Sequence, residues 1–127
     1  MSFFDKIFGS ENNEVNSNVN WIPLTEIAQL DEIVENSKDK TIVIFKHSTR
    51  CSISRFALKQ FENEYNLEDK VDLYYLDLLN YRDISNEIAN RFQLIHQSPQ
   101  ILIIKNGVVV YDASHSDIQA EVLGKYV

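Results

Sequence analysis

The chain has a single cysteine, Cys51, in 127 residues. One cysteine rules out an intramolecular disulfide and a thiolate-rich zinc site. His47, His96 and His115 are scattered with no ligand-like spacing, so nothing points to a bound metal. Basic residues are also in short supply: 12 Lys and Arg face 19 Asp and Glu, for a formal net charge of −7. That balance argues against non-specific nucleic-acid binding, which draws its affinity from cations that neutralise phosphates. No apolar run approaches the roughly 20 residues needed to span a bilayer. The N-terminus, Met1 to Phe8, lacks the basic flank, long apolar core and small-residue cleavage site of a signal peptide. These absences leave a cytoplasmic globular protein as the expectation. No internal repeat is visible.

What is present suits one domain. The length is enough to bury a core without staples, and 44% hydrophobic residues with 11% aromatics is ordinary globular composition. Residues 1–20 read as an N-terminal tail and linker. Phe3, Phe4, Ile7 and Phe8 could form a short amphipathic turn that packs on the domain or docks on a partner. Gly9 to Asn18 is polar and Asn-rich, as linkers are. The domain is expected over residues 21–127, starting at Trp21.

Within the domain, helical and strand patterns alternate. Ile27, Leu30, Ile33 and Val34 predict a helix over 25–36. Thr41 to Lys46 is nearly all β-branched or aromatic, as in a strand covered on both faces. After Cys51, the residues Ile53, Phe56, Ala57, Gln60 and Phe61 share one helical face. Val71 to Asp77 is a second strand, and Ile84, Ile88, Ala89 and Phe92 mark a helix over 82–93. Gln100 to Lys105 and Val108 to Tyr111 flank Asn106-Gly107, a strong hairpin signal. A last helix is expected over 115–125. The order α-β-α-β-α-β-β-α, with right-handed crossovers, gives an α/β fold: a central mixed sheet of about four strands with helices on both faces. That succession is the order of a thioredoxin-like domain.

Cys51 then falls where a strand runs into a helix, at the sheet edge where open α/β folds place their sites. A helix N-terminus presents unpaired N–H groups and partial positive charge. Both favour thiolate over thiol, and the thiolate is the nucleophile. Ser54, one turn on, carries a hydroxyl that could donate to a thiolate, and it stands where a dithiol motif would have its second cysteine. Arg50 and Arg55 add nearby positive charge. His47 lies four residues before Cys51, close enough to tune it or simply to close the strand with a local hydrogen bond. Lys46 is expected to be solvated or to steer anions. The carboxylates Glu62, Glu64, Glu68, Asp69 and Asp72 read as a solvated acidic face. The competing reading of Cys51 is a small buried core residue, which the polar neighbours Arg50 and Ser52 weaken. Pro99 follows a polar loop and directly precedes a strand. X-Pro is the one bond that is readily cis, and spacing alone leaves cis and trans both open.

The run from Phe45 to Ser54, with Cys51-Ser52-Ile53-Ser54 at its core, resembles the active-site segment of the monothiol bacilliredoxin family. The resemblance extends over the Trp21 entry, the Leu30-Asp31 helix, Ser98-Pro99-Gln100 and the Asn-Gly hairpin. It implies a thioredoxin-like fold, Cys51 as nucleophile, Ser54 in place of a resolving cysteine, and Pro99 as a cis proline. A substrate surface is expected from His47, Arg50, Ser52, Ser98 and Pro99. The implied chemistry is thiol–disulfide exchange: Cys51 takes bacillithiol from S-bacillithiolated client proteins. Bacillithiol acts as co-substrate with no bound cofactor, and a separate NADPH-dependent flavin enzyme reduces the product. Ser52 stands where many members have proline, and Arg50 where a smaller polar residue is common. The Cys-Gly-Phe-Ser signature of monothiol glutaredoxins is absent. Exchange with glutathione or another small thiol, or a binding module with a passive cysteine, are the alternative readings.

Overall fold

The computed structural model describes residues 19–67 and 69–127. The aromatic segment Phe3 to Phe8 and most of the expected linker lie outside them. Eight regular elements follow in order. They are β1 (Ile22–Pro23), α1 (Ala28–Asn36), β2 (Thr41–His47), α2 (Ser52–Glu64), β3 (Val71–Asp77), α3 (Arg82–Arg91), β4 (Gln100–Lys105) and β5 (Val108–Ser114). The sheet has five strands in the order β1-β3-β2-β4-β5. The expected four are present, and β1 is an additional two-residue edge strand that pairs parallel to β3 through Ile22 and Tyr74. β2 and β3 run parallel, while β4 and β5 are antiparallel additions.

Strand alternation divides the core. Val43 and Phe45 of β2, Leu73 of β3 and Ile101 and Ile103 of β4 face Ala57 and Phe61 of α2. Ile42, Ile44, Leu76, Leu102 and Ile104 face Leu30 and Ile33 of α1 and Ile84 and Ile88 of α3. All seven residues of β2 are buried, as expected for a central strand covered on both faces. Trp21 ties the entry of the domain to this core. Its ring lies 5.7 Å from Phe61 and 5.9 Å from Phe45, and its indole N–H donates to Glu62 at 2.7 Å. Glu62 is therefore a structural acceptor and not part of a solvated acidic face. Asp72 likewise pairs with Lys40 at 3.0 Å.

The Asn106-Gly107 turn has φ of 52° and 80°, the left-handed pair that a two-residue hairpin requires. Ser37 clamps it: its carbonyl accepts from the Asn106 N–H at 2.9 Å and its hydroxyl oxygen from the Gly107 N–H at 2.7 Å.

Three expectations change. The buried face of α2 is Ser54, Ala57 and Phe61, while Ile53 and Phe56 are 57% and 71% exposed. Ala57 and Phe61 lie on the expected face, but the buried stripe runs through Ser54, which looks polar in sequence, and leaves Ile53 and Phe56 outside. The last segment is two 3-10 turns, His115–Asp117 and Ala120–Lys125, not an α-helix. His115 has φ of 57°, and Ile118 and Gln119 are extended. An α-helical ladder cannot run through such residues. Helix α1 begins at Ala28, because Gln29 folds back and accepts from the Thr25 and Glu26 N–H groups at 2.8 and 2.9 Å. That bond holds Thr25–Ile27 in a turn ahead of the helix.

Candidate active site

β2 delivers the chain to the carboxyl edge of the sheet and α2 leads it away. Cys51 is the N-cap of α2, with φ −103° and ψ 122°. Its main chain closes the connecting turn: its N–H donates to Ser48 at 3.2 Å, and its carbonyl accepts from the Arg55 N–H at 3.0 Å. The guanidinium of Arg55 donates to the Thr49 carbonyl at 3.1 Å and braces the same turn. The thiol is free and partly exposed. Among the described residues it has no hydrogen-bond partner. It sits on a 13-residue helix, so the partial positive charge of that end is available to it. Arg50 and Ser52, on either side, are exposed, and Arg50 has no ion-pair partner among the described residues.

Ser54 is fully buried, and its hydroxyl is not spent on Cys51. The oxygen accepts from the Ser48 N–H at 3.0 Å and lies 2.7 Å from His47 Nδ1. Helix α2 is thus fastened to the end of β2 through a serine and a histidine. His47 is itself buried. Burial lowers its pKa below the ordinary imidazole value; the Asp77 carboxylate opposes this, the Arg55 guanidinium adds to it, and the Ser54 hydrogen bond opposes it. Asp77 is the direct register partner of His47 across the parallel pair. One of its oxygens accepts from Asn80 at 2.8 Å. The other is buried without a hydrogen-bond partner among the described residues. The Tyr75 ring stands 5.6 Å from the imidazole.

The second wall comes from the loop into β4. The Ser98-Pro99 bond is cis, as the family resemblance implied. Lys46 pairs with Gln100 in the antiparallel register, so Pro99 lies beside the end of β2 that carries His47. The Ser98 hydroxyl is buried and unpartnered, and its main-chain N–H and C=O make no hydrogen bond to a described residue. A groove of about 310 Å³ runs beside the start of α2, lined by Ser52, Ile53, Phe56, His115 and Ile118 among others.

Lys46 departs from its expected solvated role. It is fully buried, on the face of β2 away from Ser54. Its ammonium nitrogen lies 2.7 Å from His96 Nδ1 and 3.1 Å from Gln100 Oε1. Burial lowers its pKa from 10.5 to about 8. His96 and Gln100 carry no motif that would have marked them. Lys46 itself was recognisable as the one charge inside an otherwise apolar strand. Among the described residues no cluster of three or more His, Cys, Asp or Glu could hold a metal ion. Nor is any helix long and apolar enough to cross a membrane.

A site with one sulfur can attack a disulfide and carry the resulting half, but it cannot close a disulfide on itself. On this sheet, that is the chemistry of a thioredoxin-fold thiol–disulfide oxidoreductase. Solved structures agree. One described as a candidate oxidoreductase with a thioredoxin fold superposes with a TM-score of 0.71 at 35% identity, covering 82% of this chain and 90% of its own. The thioredoxin of Malassezia sympodialis gives 0.64 at 20% identity over 90% and 93% of the two chains. Mitochondrial thioredoxin 3 of Saccharomyces cerevisiae gives 0.63 at 16% over 84% and 92%. These two share the fold. The family described as Monothiol bacilliredoxin BrxC matches residues 22–123, and the chain belongs to that family.

Proposed function

We propose that the protein removes bacillithiol from S-bacillithiolated client proteins in the cytoplasm. The observation that carries this reading is a partly exposed Cys51 at the start of α2 with a buried serine, not a thiol, one turn on. The Cys51 thiolate attacks the bacillithiol sulfur of the mixed disulfide, and the client departs as its thiolate. Cys51 then holds bacillithiol until a second free bacillithiol attacks that sulfur and releases Cys51. The bacillithiol disulfide so formed goes to a separate NADPH-dependent flavin reductase. Arg50 is exposed and has no ion-pair partner among the described residues, which suits the malate carboxylates of bacillithiol. The free main-chain groups of Ser98 suit an extended segment laid beside the thiol.

The test offers the purified protein bacillithiol disulfide or glutathione disulfide and follows the adduct by intact mass. A selective bacillithiol adduct that disappears in Cys51→Ala is the expected result. Equal reactivity with both disulfides removes the support for bacillithiol and leaves a general small-thiol exchanger. No adduct with either would make the protein a binding module with a passive cysteine.

A further inference from the structure

The bond between Ser54 and His47 has two forms, and they differ by one proton. The Ser54 oxygen already accepts from the Ser48 N–H, so its own hydrogen is free to point elsewhere. When His47 is neutral with Nδ1 bare, that hydrogen lies on the 2.7 Å line to Nδ1. When Nδ1 is protonated, the direction reverses: the ring donates to the serine oxygen and the serine hydrogen is released. Cys51 and Ser54 are the N-cap and third residues of α2. Positions three apart at a helix start bring their Cβ atoms within about 5–6 Å, which puts the Ser54 hydroxyl in the neighbourhood of the sulfur.

We propose that His47 is the proton acceptor for Cys51, acting through the Ser54 hydroxyl, with Asp77 holding the imidazolium so formed. The proposal rests on thiol–disulfide exchange at Cys51 and adds the route of the proton. The S–H proton passes to the Ser54 oxygen as the Ser54 proton passes to Nδ1. This leaves a thiolate and an imidazolium. The thiolate lone pair then forms the new S–S bond, and the old S–S bond breaks with its electrons on the departing sulfur. That sulfur takes a proton back from His47 by the reverse route or from solvent. No oxidant or reductant is consumed beyond the disulfide itself.

The surroundings of His47 suit a ring that gains and loses charge. From β3, Asp77 presents a buried oxygen with no hydrogen-bond partner and Tyr75 a ring 5.6 Å away. From α2, the Arg55 guanidinium acts in the same sense as burial, the larger cause, in lowering the pKa of the ring, while Glu62 is occupied by Trp21. Lys46, next in the chain, points to the other face of the sheet, where it meets His96 and Gln100. Among the described residues, Asp77 is thus the carboxylate placed by strand register beside the imidazole.

His47 acts through Ser54 and is a positioning residue, so the test must separate proton transfer from architecture. Asn at position 47 keeps an acceptor near the place of Nδ1 but cannot take the proton. Iodoacetamide alkylation reads Cys51 alone, since it is the only thiol, and needs no disulfide partner. In His47→Asn the rate near neutral pH is expected to fall by about 100-fold, the low end of what a positioned proton acceptor contributes. The two profiles should converge in alkaline buffer, where hydroxide does the work. Ser54→Ala should show the same loss, and the double variant should be no slower than either single one. A change under two-fold, a loss that is equal at every pH, or additive losses would each overturn the proposal. Should His47→Asn not fold, NMR titration of His47 in the wild-type chain serves instead. Its midpoint should fall when Cys51 is alkylated, and an unmoved midpoint overturns the relay. A protein with the expected profile that exchanges with no disulfide would refute the proposed function and leave the relay standing.

Discussion

Lys46 makes the stability of this protein rise with pH where most proteins lose it. The ammonium is fully buried and faces a histidine and an amide, with no carboxylate among its hydrogen-bond partners. Its pKa is lowered from 10.5 to about 8 in the folded chain. Between those values the unfolded chain holds a proton that the folded chain has lost, so stability must increase with pH. Each pH unit inside that window adds about 1.4 kcal/mol. Integrated from pH 7 to pH 10, the gain is on the order of 2.5 kcal/mol. Tyr74 and Tyr75, whose pKa values are raised chiefly by burial, act in the opposite sense, but only above about pH 10. The assay is urea unfolding followed by fluorescence of Trp21, the only tryptophan, at pH 7, 8, 9 and 10 with a reductant present. With a urea slope of about 1–3 kcal/mol/M, the midpoint should climb by roughly 1–2 M. Lys46→Met removes the buried charge at similar length. It should flatten the pH dependence and make the protein more stable at pH 7. A wild-type midpoint that is flat or falls from pH 8 to 10 would refute the reasoning, as would a slope that persists in Lys46→Met.

Three further outcomes concern the frame. Phe61→Ala removes a fully buried ring that meets Trp21, Phe45 and Tyr65 within 6 Å. It should cost about 3–5 kcal/mol and lower the thermal midpoint by more than about 10 °C, read by calorimetry. Gly107→Ala places a Cβ at φ 80° and 3.4 Å from Val34 Cγ1. A loss of about 1–2 kcal/mol is expected from the strained backbone, measured by chemical denaturation. Ser37→Ala strips the acceptor from the Gly107 N–H. It should cost about 1–3 kcal/mol and reduce hydrogen-exchange protection at the Gly107 amide.

The elements that could be read from sequence are those whose signal is local. Strands Val71–Asp77 and Gln100–Lys105 have the predicted bounds, because β-branched runs end abruptly in turn residues. The Asn106-Gly107 hairpin was equally plain, since few other residues accept two successive positive φ values. What stayed hidden depends on distant partners. Ser54 faces inward because His47 and the Ser48 amide wait there, so the apolar stripe of α2 carries a polar residue that pattern reading places outside. Lys46 is buried because β2 lies mid-sheet and α3 covers that face, facts of topology that no neighbouring residue announces. Asp77 came into play only through the parallel register with His47. Cys51 itself is legible at once, whereas the surroundings of Ser54 are not: its spacing from Cys51 can be read, but its bonds to His47 and the Ser48 amide depend on the fold.

In the proposed cycle, a serine in place of a second thiol at position 54 would also set the kinetic order. A second thiol on the same helix would attack an adduct on Cys51 at a geometric effective concentration, which for well-oriented groups reaches about 10⁵ M or more. With an oxygen at that position, and that oxygen already held by His47 and Ser48, the attacking sulfur must diffuse in at its ambient concentration. The dwell time of the adduct is then inversely proportional to free thiol. When the thiol pool is full, the adduct is brief and turnover is fast. When the pool is depleted, the protein accumulates in its capped form and stops drawing on what remains. In that proposed cycle, the buried serine would link the rate of turnover to the supply of reductant.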